Sequence, residues 1–204
     1  MPLLWLAYPL LVHAAVLTDE PLLEAAALGL LLGLILLAPL SRRRLWAALT
    51  LAGGLLAAAA FSYSGWGIYF LYLPPVLLNA FLCALFAQSL GAARTPIISA
   101  VARSIRGGEL PPTLQRYTRQ LTLFWALLFA AMGTVSALLA MLAPDELWSA
   151  FTNFYSYLIL ALVFIIEFGL RRLLFRDDQH TSAKAYIRGP VSYTHLTLPT
   201  IYSV

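Results

Sequence analysis

The 204-residue chain is 61% hydrophobic, only 11% charged, and carries a formal net charge of +4. Soluble domains hold roughly 25% charged residues, so a water-soluble fold of this size is excluded, because one core could not enclose so much apolar surface. The basic residues sit between apolar runs, as in membrane topology and unlike a nucleic-acid footprint. A single cysteine, Cys83, rules out an intramolecular disulfide.

A transmembrane helix needs roughly 20 apolar residues, with a range of about 17–25. The first run, Pro2 to Leu17, is at the short edge of that range and lacks the basic start and cleavage site of a signal peptide. After the acidic turn Thr18-Asp19-Glu20-Pro21, Leu22 to Leu40 forms a second span, closed by Ser41-Arg42-Arg43-Arg44. Leu45 to Phe61 is a third, followed by an uncharged turn containing Trp66. The fourth, Ile68 to Leu90, contains Pro74-Pro75. Leu121 to Ala143 is the fifth and Leu147 to Leu170 the sixth. The expected fold is an all-α integral membrane protein, a bundle of about six transmembrane helices.

All thirteen basic residues fall after spans two, four and six, and the alternate connections carry none. The positive-inside rule therefore predicts a multi-pass membrane protein with both termini cytoplasmic. If the first run does not span, the N-terminus changes sides.

The last residues, Val191 to Val204, are polar and lack a helical period. Back-translated, Val191 to Leu196 fits GTC TCT TAT ACA CAT CT, which resembles read-through of a transposase adapter used in sequencing libraries. We read residues 1–190 as a single polytopic domain and leave 191–204, with His195, out of the fold reasoning; a genuine polar tail is the alternative.

Ala25, Gly29 and Gly33 make a small-residue stripe on span two, suited to close helix packing within the chain or to a helix-mediated homo-oligomer. Pro74-Pro75 removes backbone donors and predicts a kink. Asn79 is placed to satisfy a freed carbonyl. Pro74, Pro75 and Asn79, with Asn153 of span six, are candidates for a cleft. Trp148, Phe151, Phe154, Tyr155 and Tyr157 fit an aromatic belt at the headgroup level. Three ionisable groups lie inside spans. Glu24 and His13 fall near the outer surface, and Glu167 has the spacing to pair with Arg171 on one helix face. None lies near mid-span, which disfavours transport by charge relay.

The loop after span four is the richest segment. In Thr95 to Gly108, Thr95 is placed to cap a helix, Pro96 to open it and Gly107-Gly108 to end it. At about 100° per residue, Ile97, Ile98, Val101 and Ile105 share one face, with Arg103 and Arg106 opposite. This predicts a short amphipathic interfacial helix on the inner leaflet. After Pro111-Pro112 a second polar stretch, Thr113 to Gln120, runs into span five. Arg103, Arg106, Arg116 and Arg119, with Tyr117, are candidates for binding a phosphate or carboxylate on a headgroup or carrier.

Tyr72-Leu73-Pro74-Pro75-Val76-Leu77-Leu78-Asn79 is similar to a family of uncharacterised bacterial inner-membrane proteins. So is the pattern Pro96-Ile97-Ile98, Ala102-Arg103, Arg106-Gly107, Glu109-Leu110-Pro111, Tyr117-Thr118-Arg119 and Trp125. The resemblance covers roughly Ile68 to Arg176. Genes of this family often lie in clusters for aryl-polyene or fatty-acid-like products, and members are sometimes labelled ketosynthases by proximity. The resemblance implies a supporting role for an acyl product and supplies no catalytic residue. Condensation chemistry does not fit, since it needs an activated cysteine, and Cys83 lies inside an apolar run.

Three functions follow as expectations. The first is a non-catalytic accessory component that meets an acyl-carrier protein or acyl lipid at the cytoplasmic face, where basic charge suits an acidic partner. The second is a membrane enzyme on an acyl or headgroup substrate, drawing on Glu109, Tyr117 or His180. The third is a lipid transporter or flippase-like subunit using the proline-bearing span. No cofactor, metal site or nucleic-acid partner is expected, because metal-ligand spacings, nucleophile motifs and phosphate-cradling glycine loops do not occur in the sequence.

Overall fold

A computed structural model describes residues 2–174. Phe175 onward, including Arg176, His180, Lys184, Arg188 and the adapter-like tail, lies outside the described residues. The described secondary structure is helical throughout, with no strand among the described residues. Its elements are α1 (Pro2–Thr18), α2 (Pro21–Ile35), α3 (Leu37–Ser41), α4 (Leu45–Tyr63), α5 (Gly67–Ser89), α6 (Ile97–Arg106), α7 (Pro112–Leu142), α8 (Asp145–Ala150), a π-helical segment (Phe151–Tyr155) and α9 (Ser156–Leu174). Three of these, α4, α5 and α7, are long and apolar enough to cross a membrane. Two shorter apolar helical stretches, Ala7–Thr18 and Pro21–Ile35, accompany them.

Several boundaries depart from the sequence pattern for identifiable reasons. The second apolar run is not one helix; it breaks at Leu36, between α2 and α3. Pro39 has no N–H for the Ile35 carbonyl and its ring crowds that turn. At about 1.5 Å per residue, α2 alone is shorter than a bilayer core of about 30 Å. In contrast, the polar stretch before the fifth run and the run itself are one helix, α7, of 31 residues. No glycine or proline separates them. The sixth run is α8, a π-helical segment and the start of α9 in succession.

Helix α5 passes through Pro74 and Pro75 without a break. Asn79 Nδ2 donates to the Pro75 carbonyl at 2.8 Å. The carbonyls that lose their usual donors are those of Phe70 and Leu71, four residues before each proline. Asn79 therefore does not serve the freed groups as expected.

The chain divides into two compact units, Met1–Ala161 and Leu162 onward, with the division inside α9. In the second, Arg171 Nη2 donates to Glu167 Oε2 at 2.9 Å, the pairing its spacing implied. In the first, α2 packs on α4 by reciprocal exchange of small and large residues. The end of the Leu55 side chain fills the space beside Gly29, and the end of Leu32 fills that beside Gly54. The stripe on α2 is thus engaged within the chain at Gly29, whereas nothing lies within 4 Å of a Cβ built at Gly33. Helices α5 and α7 form a second seam, where Asn79 Cβ lies 3.1 Å from the position of a Cβ on Gly133 and the Phe86 and Phe129 rings are 5.5 Å apart. The buried centre is Val12, Ala27, Leu71 and Trp148.

Candidate functional site

The arginine-bearing loop folds as a stitched corner between α5, α6 and α7. Thr95 does not cap α6; Pro96 occupies the N-cap position with no side-chain cap bond. The first α6 amide instead finds its acceptor on α5, since Ile97 N–H donates to Ser89 Oγ at 3.2 Å while Ser89 Oγ donates to the Phe86 carbonyl at 2.7 Å. Gly107 ends the helix at φ 71°, a left-handed conformation that glycine adopts without steric cost. Arg119 Nη2 donates to the Leu90 carbonyl at 3.1 Å and so closes the C-terminal end of α5. Between α6 and α7, Ser99 and Thr118 share a buried hydrogen bond of 2.7 Å. The Thr118 hydroxyl also turns back toward the Leu114 and Gln115 carbonyls at 3.0 and 3.1 Å. With that hydrogen committed, Ser99 is the donor.

This packing sorts the candidate residues. The side of α6 that carries Ser99, Arg103 and Arg106 is turned inward, Ser99 wholly and the arginines half-buried, while Val101 and Ile105 stay 53% and 75% exposed. The two arginines are thus not a freely solvated face. Arg103 Nε is sealed from solvent without a hydrogen-bond partner. Tyr117 is half-buried, and Arg116 and Glu109 are exposed. Of the four arginines, Arg116 presents the most open charge. Arg119 has a structural duty to α5.

The cleft candidates keep different company. Pro74, Pro75 and Asn79 lie on α5, where Asn79 meets α7 beside Gly133, whereas Asn153 sits in the π-helical segment and donates to Ser149 Oγ at 3.1 Å. The belt expectation changes for Trp148, which is 1% exposed, its ring edge-on to Tyr72 at 4.6 Å. Phe154, Tyr155 and Tyr157 remain exposed.

A second polar assembly, which the sequence pattern did not single out as a unit, lies at the opposite ends of these helices. His13 Nδ1 and Ser149 Oγ share a hydrogen bond of 3.0 Å, and the His13 ring stands edge-on to Phe154 at 4.8 Å. Tyr72 OH donates to Asp145 Oδ1. Thr152 Oγ1 and Ser156 Oγ donate to the Trp148 and Phe151 carbonyls, both at 2.9 Å, and so occupy acceptors beside the wider π turn. Glu24, in the first turn of α2, and Ser62, near the end of α4, are 8% and 3% exposed. Glu24 Oε2 and Ser62 Oγ converge on Gly67, the first residue of α5. A Cβ there would collide with both oxygens and would lie 2.8 Å from Ser62 Cα. The Ser62 hydroxyl is the donor within reach of the Glu24 carboxyl, though the bond is long or bent. The charges of Asp19 and Asp145 reach Glu24.

Chemically, His13 and Ser149 have the spacing of a base and a nucleophile. The Ser149 hydroxyl is wholly buried, however, and cannot meet a substrate. The pair is better suited to joining α1 to α8. Serine and threonine carry no charge pattern, so this assembly has no signature as a unit along the chain; Glu24, His13, Asn153 and the aromatic residues Trp148 and Phe154 were marked only singly. Among the described residues no three His, Cys, Asp or Glu side chains are grouped closely enough to hold a metal ion. No protein-family model, curated protein or solved structure matches this chain, so its own geometry carries the functional reading.

Proposed function

We propose that the chain is a multi-pass protein of a bacterial cytoplasmic membrane, crossing about six times with its basic loops and both termini inside. In this reading it acts as a non-catalytic accessory component that docks an anionic acyl-bearing partner, an acyl-carrier protein or acyl lipid, at its arginine-bearing end. Three helices of spanning length support the membrane assignment. The strict alternation of basic and non-basic connections supports the orientation.

The observation that carries the docking role is the stitched corner. Ser89, Ser99 and Thr118 fix α6 to α5 and α7, and Arg119 ties α7 to the end of α5, so Arg103, Arg106 and Arg116 come from a rigid mount. A preorganised set of guanidinium groups loses little conformational freedom on meeting a phosphate or carboxylate. The exposed Val101 and Ile105 lie on the same short helix and suit an acyl or lipid neighbour.

The test is native mass spectrometry of the protein, purified from membranes and incubated with acyl-carrier protein and host lipid extract. A retained carrier or acyl species, reduced at least tenfold in Arg106→Gln/Arg116→Gln, is the expected result. Arg119 is left intact because it also holds α5. A protein that retains neither species under gentle conditions overturns the docking role.

A further inference from the structure

We propose that one anionic phospholipid binds at the arginine corner, its phosphate beside Arg103 and Arg106 and its acyl chains along the outward face of α6. This names the partner of the docking site above and rests on that reading.

The direction in which α6 faces carries the inference. Its outward residues Ala100, Val101, Ser104 and Ile105 are all exposed, and none is charged. Its inward side holds Ser99, Arg103 and Arg106, and the bond between Ser99 and Thr118 locks that orientation. A helix that met water would be turned the other way, with the arginines outward and Val101 and Ile105 against the bundle. An apolar outer face beside inward guanidinium groups suits a neighbour with an apolar body and an anionic head. A phospholipid has both, whereas an acidic protein surface answers only the charge. Because the arginines face the bundle, the lipid is held at one place, unlike the general adhesion of a basic helix to anionic headgroups.

The charge balance of the corner calls for an anion. Arg103 is half-buried, and among the described residues its Nε is sealed from solvent without a hydrogen-bond partner. Its charge is therefore incompletely hydrated. The segment from Gly91 to Gln120 holds five arginines and one acid, Glu109, which is exposed. Helix ends do not offset that excess. The C-terminal ends of α5 and α6 count for about half a negative charge each, and Arg119 serves the first through its bond to the Leu90 carbonyl. The start of α7, which has no side-chain cap, adds positive charge. A phosphodiester accepts charge-assisted bonds from guanidinium groups and brings its chains with it.

The test places a bimane fluorophore on α6 through Ile105→Cys, in a Cys83→Ser background, with the full chain in phosphatidylcholine nanodiscs. A small mole fraction of phosphatidylglycerol brominated on its acyl chains should quench the fluorophore. It should do so about tenfold more effectively than the same fraction of brominated phosphatidylcholine, as expected for one charge-assisted contact. Arg103→Gln should bring the two lipids level, and Arg103→Lys should keep part of the preference. The labelled chain with every arginine intact gives the answer even where Arg103→Gln fails to fold. Equal quenching by the two lipids, a preference undiminished in Arg103→Gln, or a fluorophore open to aqueous iodide and to neither lipid would each overturn the proposal. Retention of acyl-carrier protein without phosphatidylglycerol in native mass spectra also overturns it and leaves the docking reading standing. Retention of neither removes both.

Discussion

The two ends of the first unit solve the same problem in opposite ways. At the arginine end, polar side chains tie backbone termini together. Ser89 serves the first amide of α6 and Arg119 a carbonyl after α5, while Arg116 stays exposed. At the acid end, polar side chains are buried between helices. His13, Ser149 and Asn153 join α1 to α8 and the π-helical segment, and Glu24, Ser62 and Gly67 bring α2, α4 and α5 to one point. The first arrangement tolerates loss of a charge, because water can replace it. The second does not, because nothing else can reach the groups that lose a partner.

That contrast can be broken or sharpened by substitution, with thermal or denaturant unfolding in detergent as the common measurement. The largest effect is expected at Gly67→Ala, where the new methyl meets backbone as well as two oxygens. We expect a loss of about 3 kcal/mol, in the range for overpacked sites. A loss under about 1 kcal/mol would show that this end is loose and would weaken the contrast. Gly29→Ala is the internal control, since the atom it meets is the far end of a leucine side chain that can turn aside.

A smaller effect is expected from the arginine corner. A double-mutant cycle on Ser99→Ala and Thr118→Ala should give a coupling of about 1 kcal/mol, the usual size for a single hydrogen bond between helices in a membrane protein. A coupling near zero would mean that α6 is held by its ends alone. The smallest effect, and of opposite sign, is expected at Gly33→Ala. Nothing lies within 4 Å of the added atom, so the gain in helix propensity of up to about 1 kcal/mol should appear nearly undiluted. A marked loss there would point to a contact with a second copy through the remaining half of the stripe.

Much of the local structure was legible along the chain. Helix α4 begins where the apolar run begins, Gly107 ends α6 as expected, and Glu167 meets Arg171. These features rest on neighbours within one or two turns. Errors arose wherever a distant group supplied what a local one was expected to supply. Thr95 was the natural cap for α6, but Ser89 took its place. Trp148 has the composition of an interfacial residue, yet Tyr72, Val12, Ala27 and Leu71 enclose it. Asn79 bonds the Pro75 carbonyl and leaves the carbonyls freed by the prolines to other groups.

The sequence by itself determined the solvent and the element type. A chain with 61% hydrophobic and 11% charged residues must satisfy its backbone polar groups internally if it is to sit in lipid, and continuous apolar runs of this length do so as helices. It also determined which connections carry the arginines. Only the tertiary structure decided which small polar residues meet. Serine, threonine and asparagine have no periodic or charge signature, glycine shows at most a spacing, and their meaning comes from what stands opposite. Gly29 is occupied by Leu55 and Gly33 by nothing, although both belong to one stripe. Ser62 is an ordinary helix residue until α2 and α5 bring Glu24 and Gly67 against it.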